Sequence, residues 1–327
     1  MPICQSFKED KIIIKGLETN YKTAGTGEII LILHGWGGSS DSWIKVQEVL
    51  SGKNYRVIVP DLPGFGKSQQ PTIPWKRDDY LIWLLNFLES QKLTSFILIS
   101  HSFGGSISIK LAAKYPEKIK KLILCSPAGI KQKPDPKAKI IYAAAKIGDL
   151  LLSSKHLSKI RNYAKDGLYF LLRRKDYVKA KGPMRQTFIN VLNEDLTDEI
   201  SKIKTDTLIV WGSKDEAISL KNAFVFKKNI AGSKLEILKN VGHSPQLEVP
   251  EELSAIIYKF ISGAQRAEAR ACTQKCVTAR RRGSSTPFVG RNPPKHTLLR
   301  SIGASKGTLS RIHPRPKDPW LSAEEGK

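Results

Sequence analysis

The sequence predicts an α/β protein with a mostly parallel eight-stranded sheet, a helical cap insertion and a disordered carboxyl-terminal tail. Two observations carry this prediction. Short apolar runs alternate with longer segments of helical periodicity, which is the pattern of βα units and a parallel sheet. The chain has 327 residues, which is long enough for one large α/β domain with an inserted subdomain.

Eight apolar runs are predicted as strands. Two of them, 29–33 and 96–99, are continuously apolar, as expected for central strands that helices cover on both faces. The first two runs have no helix between them and are therefore predicted to form an antiparallel edge. The predicted strands are Lys11–Lys15, Leu17–Thr23, Ile29–His34, Tyr55–Pro60, Ser95–Ser100, Lys121–Ser126, Thr207–Trp211 and Lys234–Leu238.

Helical patterns occupy the intervals between these runs. The predicted helices are Asp41–Leu50, Trp75–Ser90, Phe103–Lys114, Leu220–Lys228 and Pro250–Ile261. A longer interval, residues 130–203, holds no convincing strand but several helical patterns, including Ala138–Leu152 and Asp166–Arg174. It falls between two strands whose carboxyl ends should face the ligand crevice of an open sheet, so we predict a cap over a site. The alternative is a solvated excursion at the periphery.

The cap divides the predicted core into residues 1–129 and 204–263. The basic side chains of the cap favour an acidic or lipid-like ester as substrate. The alternative is that they lie on solvated helix faces and do not contact the substrate. They include Lys155, Lys159, Arg161, Arg173 and Arg174.

Residues 264–327 differ in composition from the rest of the chain. They carry 14 Lys and Arg against 4 Asp and Glu, with Pro, Gly and Ser interleaved and no periodic apolar pattern. Such a segment cannot bury enough apolar surface to offset the entropy of ordering, so we predict a disordered basic tail. The net charge of +24 is spread along the chain, so no specific nucleic-acid partner is expected.

The overall composition is that of a soluble globular protein, with 40% hydrophobic and 26% charged residues. No apolar run reaches the roughly 18 residues of a membrane helix. The segment Met1–Asp10 lacks the apolar stretch of a secretory signal, so a cytoplasmic location is predicted. The cysteines are too few and too scattered for a disulfide framework or a zinc site and are predicted to be unpaired thiols. They are Cys4, Cys125, Cys272 and Cys276.

The strongest chemical signal is the segment 96–105, an apolar strand that runs through Ser-His-Ser-Phe-Gly-Gly into a helix. This is the pattern of a nucleophile elbow, a sharp turn that exposes Ser102 and needs small residues two positions before and after it. Gly104 satisfies this requirement, and Ser100 stands where Gly is usual. The alternative is a Ser-rich helix amino terminus. The strand before the turn and the helix after it favour the elbow.

A serine hydroxyl is a weak nucleophile until a base accepts its proton and an acid orients that base. In hydrolases with this elbow the acid follows a late strand, and the segment 207–215 supplies an apolar strand, a Gly turn and then Asp215. Glu216 and Asp206 are rivals for this role. Asp206 precedes the strand and is expected at the wrong end of the sheet, and Glu216 lies one residue further round the turn.

The base is expected at His243, which follows the strand 234–238 and precedes the last helix. The other histidines of residues 1–263 are less suitable. His34 lies in a turn, His101 is adjacent to the nucleophile and should point away from it, and His156 falls in the predicted cap. The order Ser102, Asp215, His243 at the ends of successive strands therefore predicts a catalytic triad.

A tetrahedral intermediate needs preorganised hydrogen-bond donors. One donor is expected to be the backbone N–H of Phe103, the residue after the nucleophile. The other is expected from the turn His34-Gly-Trp-Gly-Gly38, where glycines allow a close approach of backbone to substrate. Trp36 is the first choice in that turn and Gly37 the alternative. A Gly-rich turn with no ligand is the other interpretation of this segment.

Five motifs in this order resemble the α/β-hydrolase superfamily over about residues 10–262. They are His-Gly-Trp-Gly-Gly, Asp61-Leu-Pro-Gly-Phe-Gly-Lys-Ser68, Ser-His-Ser-Phe-Gly-Gly, Trp-Gly-Ser-Lys-Asp and Gly-His-Ser-Pro. The resemblance implies the α/β-hydrolase fold and is greatest to capped carboxylesterases, ring-cleavage-product hydrolases and cofactor-free haloperoxidase-like esterases. Haloalkane dehalogenases and epoxide hydrolases of the superfamily place aspartate at the elbow, so Ser102 argues against these two classes. Ring-cleavage hydrolases usually extend the first motif to His-Gly-x-Gly-Pro-Gly, whereas here Ser39 follows Gly38 with no proline, so the resemblance favours an esterase.

The sequence thus predicts hydrolysis of a small-molecule carboxylic ester through an acyl-enzyme at Ser102, with no metal or organic cofactor. One alternative is hydrolysis of a carbon–carbon bond in a ring-cleavage product. The other is a non-catalytic protein that binds a small ligand on the same scaffold, because fold alone does not determine function.

Overall fold

The computed structural model describes residues 7–131 and 181–263. These residues all lie within the unit Met1–Thr273. Several predicted features lie outside the described residues: the helical patterns at 138–152 and 166–174, the five basic side chains named above for the cap, and the tail.

A single sheet of eight strands organises the described residues, in the order β1-β2-β4-β3-β5-β6-β7-β8. The first two strands pair antiparallel, as predicted, and β2 also pairs antiparallel with β4. All the other pairs are parallel. The strands are β1 Lys8–Ile14, β2 Leu17–Ala24, β3 Glu28–Leu33, β4 Tyr55–Pro60, β5 Phe96–His101, β6 Ile119–Cys125, β7 Thr207–Gly212 and β8 Lys234–Leu238.

Helices cover both faces of the sheet. In chain order they are α1 Ile44–Ser51, α2 Arg77–Ser90, α3 Ser102–Lys114, α4 Pro183–Asn193, α5 Thr197–Ser201, α6 Lys221–Asn229, α7 Pro245–Glu248 and α8, residues 250–263. None of the helices in residues 7–131 and 181–263 is long and apolar enough to cross a membrane.

Alternating strand residues belong to two separate hydrophobic clusters, because successive side chains of a strand point to opposite faces. Leu31 and Leu33 of β3 pack in the cluster that contains side chains of α2, α3 and α6. Ile30 and Ile32 pack in the other cluster, with side chains of α1 and α8. The continuous apolar run of β3 is thus that of a central strand buried on both faces, as predicted.

The predicted helix at 41–50 is divided into two elements. A 3₁₀ turn, Ser40–Trp43, precedes α1, and the side chain of Ser39 accepts a hydrogen bond from the backbone N–H of Asp41 at 3.2 Å. Trp43 leaves the helical conformation, at φ −115° and ψ 2°, and its side chain is fully buried. Burial of this large side chain and the Ser39 cap explain why one helical pattern forms two pieces.

Helix α4 comes from the interval that was predicted as cap, and it is anchored to the loop before α2. The backbone N–H of Trp75 donates to Thr187 Oγ1 at 2.8 Å, and the Trp75 carbonyl accepts from Asn190 Nδ2 at 3.1 Å. Glu194, just after α4, accepts hydrogen bonds from Arg77 and Lys110, whose side chains are only 3% and 4% exposed. Two buried cations therefore share one carboxylate where α2, α3 and the end of α4 meet.

Candidate active site

The turn between β5 and α3 holds Ser102 in a strained conformation. Its φ of 48° lies in the left-handed region, which non-glycine residues rarely adopt. A Cβ atom at Gly104 would lie 2.5 Å from the carbonyl oxygens of both Leu33 and His34, so a side chain at this position has no room. Ser100 is fully buried, and its small side chain fits where glycine is usual. The strand, the sharp turn and the helix are those of the predicted elbow.

The structure brings Ser102, His243 and Asp215 together in one chain of hydrogen bonds. Nε2 of His243 lies 3.0 Å from Oγ of Ser102, and Nδ1 of His243 lies 2.8 Å from Oδ2 of Asp215. An ionised carboxylate can only accept, so Nδ1 carries the proton and Nε2 is free to accept one from the serine hydroxyl. This is the arrangement that a general base requires.

Asp215 lies in the loop after β7, and its side chain is completely buried. Its second oxygen, Oδ1, accepts hydrogen bonds from the backbone N–H groups of Ala217 and Ile218, both at 2.9 Å. Burial opposes ionisation, but the hydrogen bond and charge of His243 and the backbone donor outweigh it, so the pKa of Asp215 lies below its ordinary value. Asp206 instead pairs with Lys121 at 2.6 Å, at the far end of β7.

Ser126 follows β6 and lies beside the same carboxylate. It helps to lower the pKa of Asp215, although its hydroxyl makes no hydrogen bond of ordinary geometry within the described residues. The backbone N–H of Ser126 donates to the Val210 carbonyl at 2.9 Å, which fixes this turn against β7. The sequence offered no carboxylate at this position, but it offered a hydroxyl, which interacts with the acid from the neighbouring strand.

The turn after β3 lies against the elbow. The N–H of Gly38 donates to the Gly35 carbonyl at 3.1 Å, and φ of Gly37 is 72°, as in a type II turn with Trp36 and Gly37 at its centre. The backbone N–H of Trp36 is not used by that turn. The N–H of Phe103 is in the first turn of α3, where backbone donors have no partner within the helix. The rings of Trp36 and Phe103 are in contact, with centroids 5.3 Å apart.

Hydrogen bonds of two buried polar side chains, His34 and Asp61, stabilise the turn after β3 and the residues that follow it. His34 Nε2 accepts from the backbone N–H of Leu62 at 2.9 Å, so its Nδ1 donates to the Gly35 carbonyl at 2.7 Å. Burial lowers the pKa of His34, which keeps it in this neutral form. Oδ1 of Asp61 accepts from the N–H of Ser40 at 2.6 Å. Asp61 therefore supports the segment that follows the turn, and within the described residues it makes no hydrogen bond to the triad.

Four aromatic side chains form a cluster beside the turn and the elbow. The Trp36 ring lies 4.8 Å from Phe65, 5.3 Å from Phe103 and 4.9 Å from Phe188, measured between centroids. We call these four residues the aromatic cluster. Phe188 belongs to α4, so a residue of the predicted cap interval packs directly against the turn that carries Trp36. Sequence reasoning did not identify Phe65 or Phe188, although buried residues of α4 recur at 184, 187, 188 and 191, a helical spacing.

Residues 7–131 and 181–263 contain no group of three or more His, Cys, Asp or Glu side chains that could hold a metal ion. Cys125 is buried at the end of β6, and burial raises the pKa of its thiol to about 12. This thiol is therefore protonated at neutral pH.

Comparison with known proteins places these features in one family. A profile of the alpha/beta hydrolase fold matches residues 28–250. Lipase 3 of Moraxella sp. (strain TA144) is 30% identical over 260 residues, which cover 74% of this chain and 79% of the lipase. The 2-hydroxymuconate semialdehyde hydrolase of Pseudomonas sp. (strain CF600) is 26% identical over 272 residues, which cover 79% of this chain and 95% of that enzyme.

Solved structures share the same architecture. A serine hydrolase involved in carbazole degradation superposes with a TM-score of 0.60 at 25% sequence identity, over 79% of this chain and 99% of the other. Sequence, sheet order and elbow agree with these comparisons, and the chain belongs to the α/β-hydrolase fold family.

Proposed function

We propose that this protein is a serine carboxylesterase that cleaves its substrate through an acyl-enzyme. Ser102 is the nucleophile, His243 the general base and Asp215 the acid that orients the histidine. The observation that carries the proposal is the continuous chain of hydrogen bonds from Ser102 Oγ through the His243 ring to the buried Asp215 carboxylate. The rival acids are less well placed, because Asp206 is engaged with Lys121 and Nδ1 of His243 bonds Asp215 rather than Glu216.

The reaction has two halves. Ser102 Oγ attacks the ester carbonyl while His243 Nε2 takes the hydroxyl proton, and the protonated ring then gives that proton to the leaving alcohol. A water molecule, deprotonated by the same ring, attacks the acyl-enzyme and releases the acid. The backbone N–H groups of Trp36 and Phe103 stabilise the oxyanion of both tetrahedral intermediates.

The aromatic cluster supports an apolar acyl group as part of the substrate. Two of its members, Trp36 and Phe103, are the proposed oxyanion residues, so an acyl chain bound there would leave the reacting carbonyl directly beside these rings. Apolar chains gain about 0.8 kcal/mol for each CH₂ group removed from water. The similarity to lipases, among them Lipase 3 of Moraxella sp. and Lipase 1 of Psychrobacter immobilis, favours the same class of ester.

Hydrolysis of a carbon–carbon bond is the second candidate. It is favoured by the similarity to 2-hydroxymuconate semialdehyde hydrolase, which spans 95% of that enzyme. The turn sequence argues against it, because the segment from His34 to Ser39 lacks the proline that ring-cleavage hydrolases usually carry there. Comparing kcat/KM for p-nitrophenyl esters with kcat/KM for a diketone formed by ring cleavage decides between the two, since an esterase should hydrolyse the esters more efficiently.

Labelling with a fluorophosphonate probe is the direct test of the nucleophile. The adduct should map to Ser102, and Ser102→Ala should abolish labelling and lower turnover of p-nitrophenyl butyrate by about 10⁶-fold. Ser90→Ala is the matched control, because the Ser90 hydroxyl only bonds the Phe87 carbonyl at the end of α2. Labelling at another serine, or no labelling of the folded protein, would disprove the proposal.

A further inference from the structure

His101 is the last residue of β5 and lies between three segments of the site. Its side chain is buried, and its ring centroid is 4.8 Å from that of His243. Nε2 of His101 lies 2.8 Å from the backbone carbonyl oxygen of His243. Nδ1 lies 3.4 Å from Nε2 of Gln246. The backbone of Gly35 also packs closely on the ring, since a Cβ atom at Gly35 would lie only 2.6 Å from Nδ1. The sequence predicted only that this histidine would point away from the nucleophile.

The partners of the ring determine its tautomer. A backbone carbonyl can only accept, so Nε2 of His101 must carry the proton and donate to His243. In a neutral ring Nδ1 then accepts, and it faces the side-chain amide of Gln246. Burial, reinforced by the nearby His243, lowers the pKa of His101 to about 3, so the ring stays neutral and keeps this donor at any pH near neutrality.

The hydrogen bond joins the base to the nucleophile through the backbone. His101 immediately precedes Ser102, and its partner is the main chain of His243 itself, 142 residues away in sequence. Glu248 holds the residues on either side of His243, because its carboxylate accepts from the N–H of Gly242 at 2.7 Å and of Ser244 at 3.1 Å. Glu248 thus holds the loop internally, whereas the hydrogen bond of His101 links the loop to the elbow.

We propose that His101 is a positioning residue that holds the His243 loop at the distance from Ser102 needed for proton transfer. This inference rests on the proposed role of His243 as general base. It assigns His101 no contact with substrate and no place in the path of the proton. Its contribution comes from geometry, because a displacement of about 1 Å between reacting groups can lower a rate by about 10²-fold.

Two amide substitutions separate the donor from the rest of the side chain. In His101→Gln the amide nitrogen is as many bonds from Cα as Nε2 of histidine, so it can still donate to the His243 carbonyl. In His101→Asn the amide nitrogen corresponds to Nδ1 and cannot reach that carbonyl. We expect H101N to lower kcat for p-nitrophenyl butyrate by about 10²-fold with KM nearly unchanged, and H101Q to stay within about threefold of the parent protein.

Proton NMR provides a readout that does not depend on turnover. The Nδ1 proton of His243 in its hydrogen bond to Asp215 should give a far-downfield signal, assigned by its absence in His243→Ala. We expect the parent protein and H101Q to retain this signal, and H101N to lose it or broaden it. Gln246→Met, which removes the donor to Nδ1 but leaves His101 in place, should weaken the signal and provides a second test if H101N does not fold.

The outcomes separate this inference from the proposed function. An unchanged His243 signal in folded H101N or in Q246M, or equal losses of kcat in H101N and H101Q, would overturn the positioning role. If the signal follows the expected order but the parent protein hydrolyses no ester, the proposed function fails and the positioning of His243 by His101 stands.

Discussion

Replacement of Asp215 by asparagine tests the orientation of the triad, because the structure determines which way the new amide must face. Oδ1 of Asp215 accepts from the N–H groups of Ala217 and Ile218, so the amide oxygen of Asp215→Asn should keep those two bonds. The NH₂ group then faces Nδ1 of His243, which lies 2.8 Å from Oδ2 in the parent protein. Nδ1 must become an acceptor, Nε2 acquires the proton, and the ring can no longer accept a proton from Ser102.

The size of the effect follows from the cost of reversing the amide. A reversed amide would restore the productive tautomer but would leave two backbone donors facing an NH₂ group, at about 1–3 kcal/mol each. The productive form is therefore disfavoured by about 2–6 kcal/mol, which corresponds to a factor of roughly 30 to 3 × 10⁴. We expect kcat to fall towards the upper end of this range, because the side chain is completely buried.

The assay is the initial rate of p-nitrophenyl butyrate hydrolysis, together with the rate constant of fluorophosphonate labelling. Glu216→Gln is the matched control, since it neutralises the adjacent exposed residue and should leave kcat within about threefold. A kcat for D215N within tenfold of the parent value would refute the tautomer argument. An equal loss in E216Q would show that the acid had been assigned to the wrong residue.

Three further predictions concern stability. Gly104→Ala should unfold the protein or lower its melting temperature sharply and abolish labelling, because the new Cβ would lie 2.5 Å from two backbone carbonyl oxygens. The control Gly52→Ala, where the new Cβ has contacts of 3.6 Å and φ is −67°, should change the melting temperature and the labelling little. Glu194→Gln should cost about 2 kcal/mol in urea unfolding, because among the described residues Lys110 keeps only Asp78 as an ionic partner and Arg77 keeps only the Glu194 backbone carbonyl. Glu18→Gln at an exposed pair should cost less than about 1 kcal/mol, and equal costs would contradict this. The pKa of His101 is about 3 in the folded protein and near 6.5 in the unfolded protein, so between these pH values the unfolded state binds more protons. The free energy of unfolding should therefore fall as pH drops from 6.5 to 4, and it should fall less steeply in H101Q. Parallel pH profiles of the two proteins would refute this.

The sheet could be predicted from the sequence because its central strands are buried on both faces and leave continuous apolar runs. The predicted and observed ranges are identical for β4 and β8 and agree within two residues at all but one of the other strand ends. The exception is β1, which begins three residues earlier, at Lys8, where the strand is half exposed and has little apolar signal. The predicted order of Ser102, Asp215 and His243 depended on local signals, since each lies within five residues of the end of a strand.

Contacts between distant segments could not be predicted in this way. Phe188 packs on Trp36, and Glu194 joins Arg77 to Lys110, only because α4 is anchored over the loop before α2. The burial of these two cations has no local sequence signal, because lysine and arginine are rarely buried without a partner and the partner lies far away in the chain. The bond from His101 to a backbone carbonyl has no sequence signal at all, since every residue carries such a carbonyl.

The order of the strands has a consequence for how activity is gained and lost. On one side of β3 the strands follow one another in sequence order, as β5, β6, β7 and β8. The last of these is the outermost described strand on that side, three of its five residues are exposed, and the loop that follows it carries His243. Fraying of this single strand would separate base from nucleophile while both core layers remain packed. Amide exchange in β8 should therefore be faster than in β5, and inactivation on heating should precede the main unfolding transition.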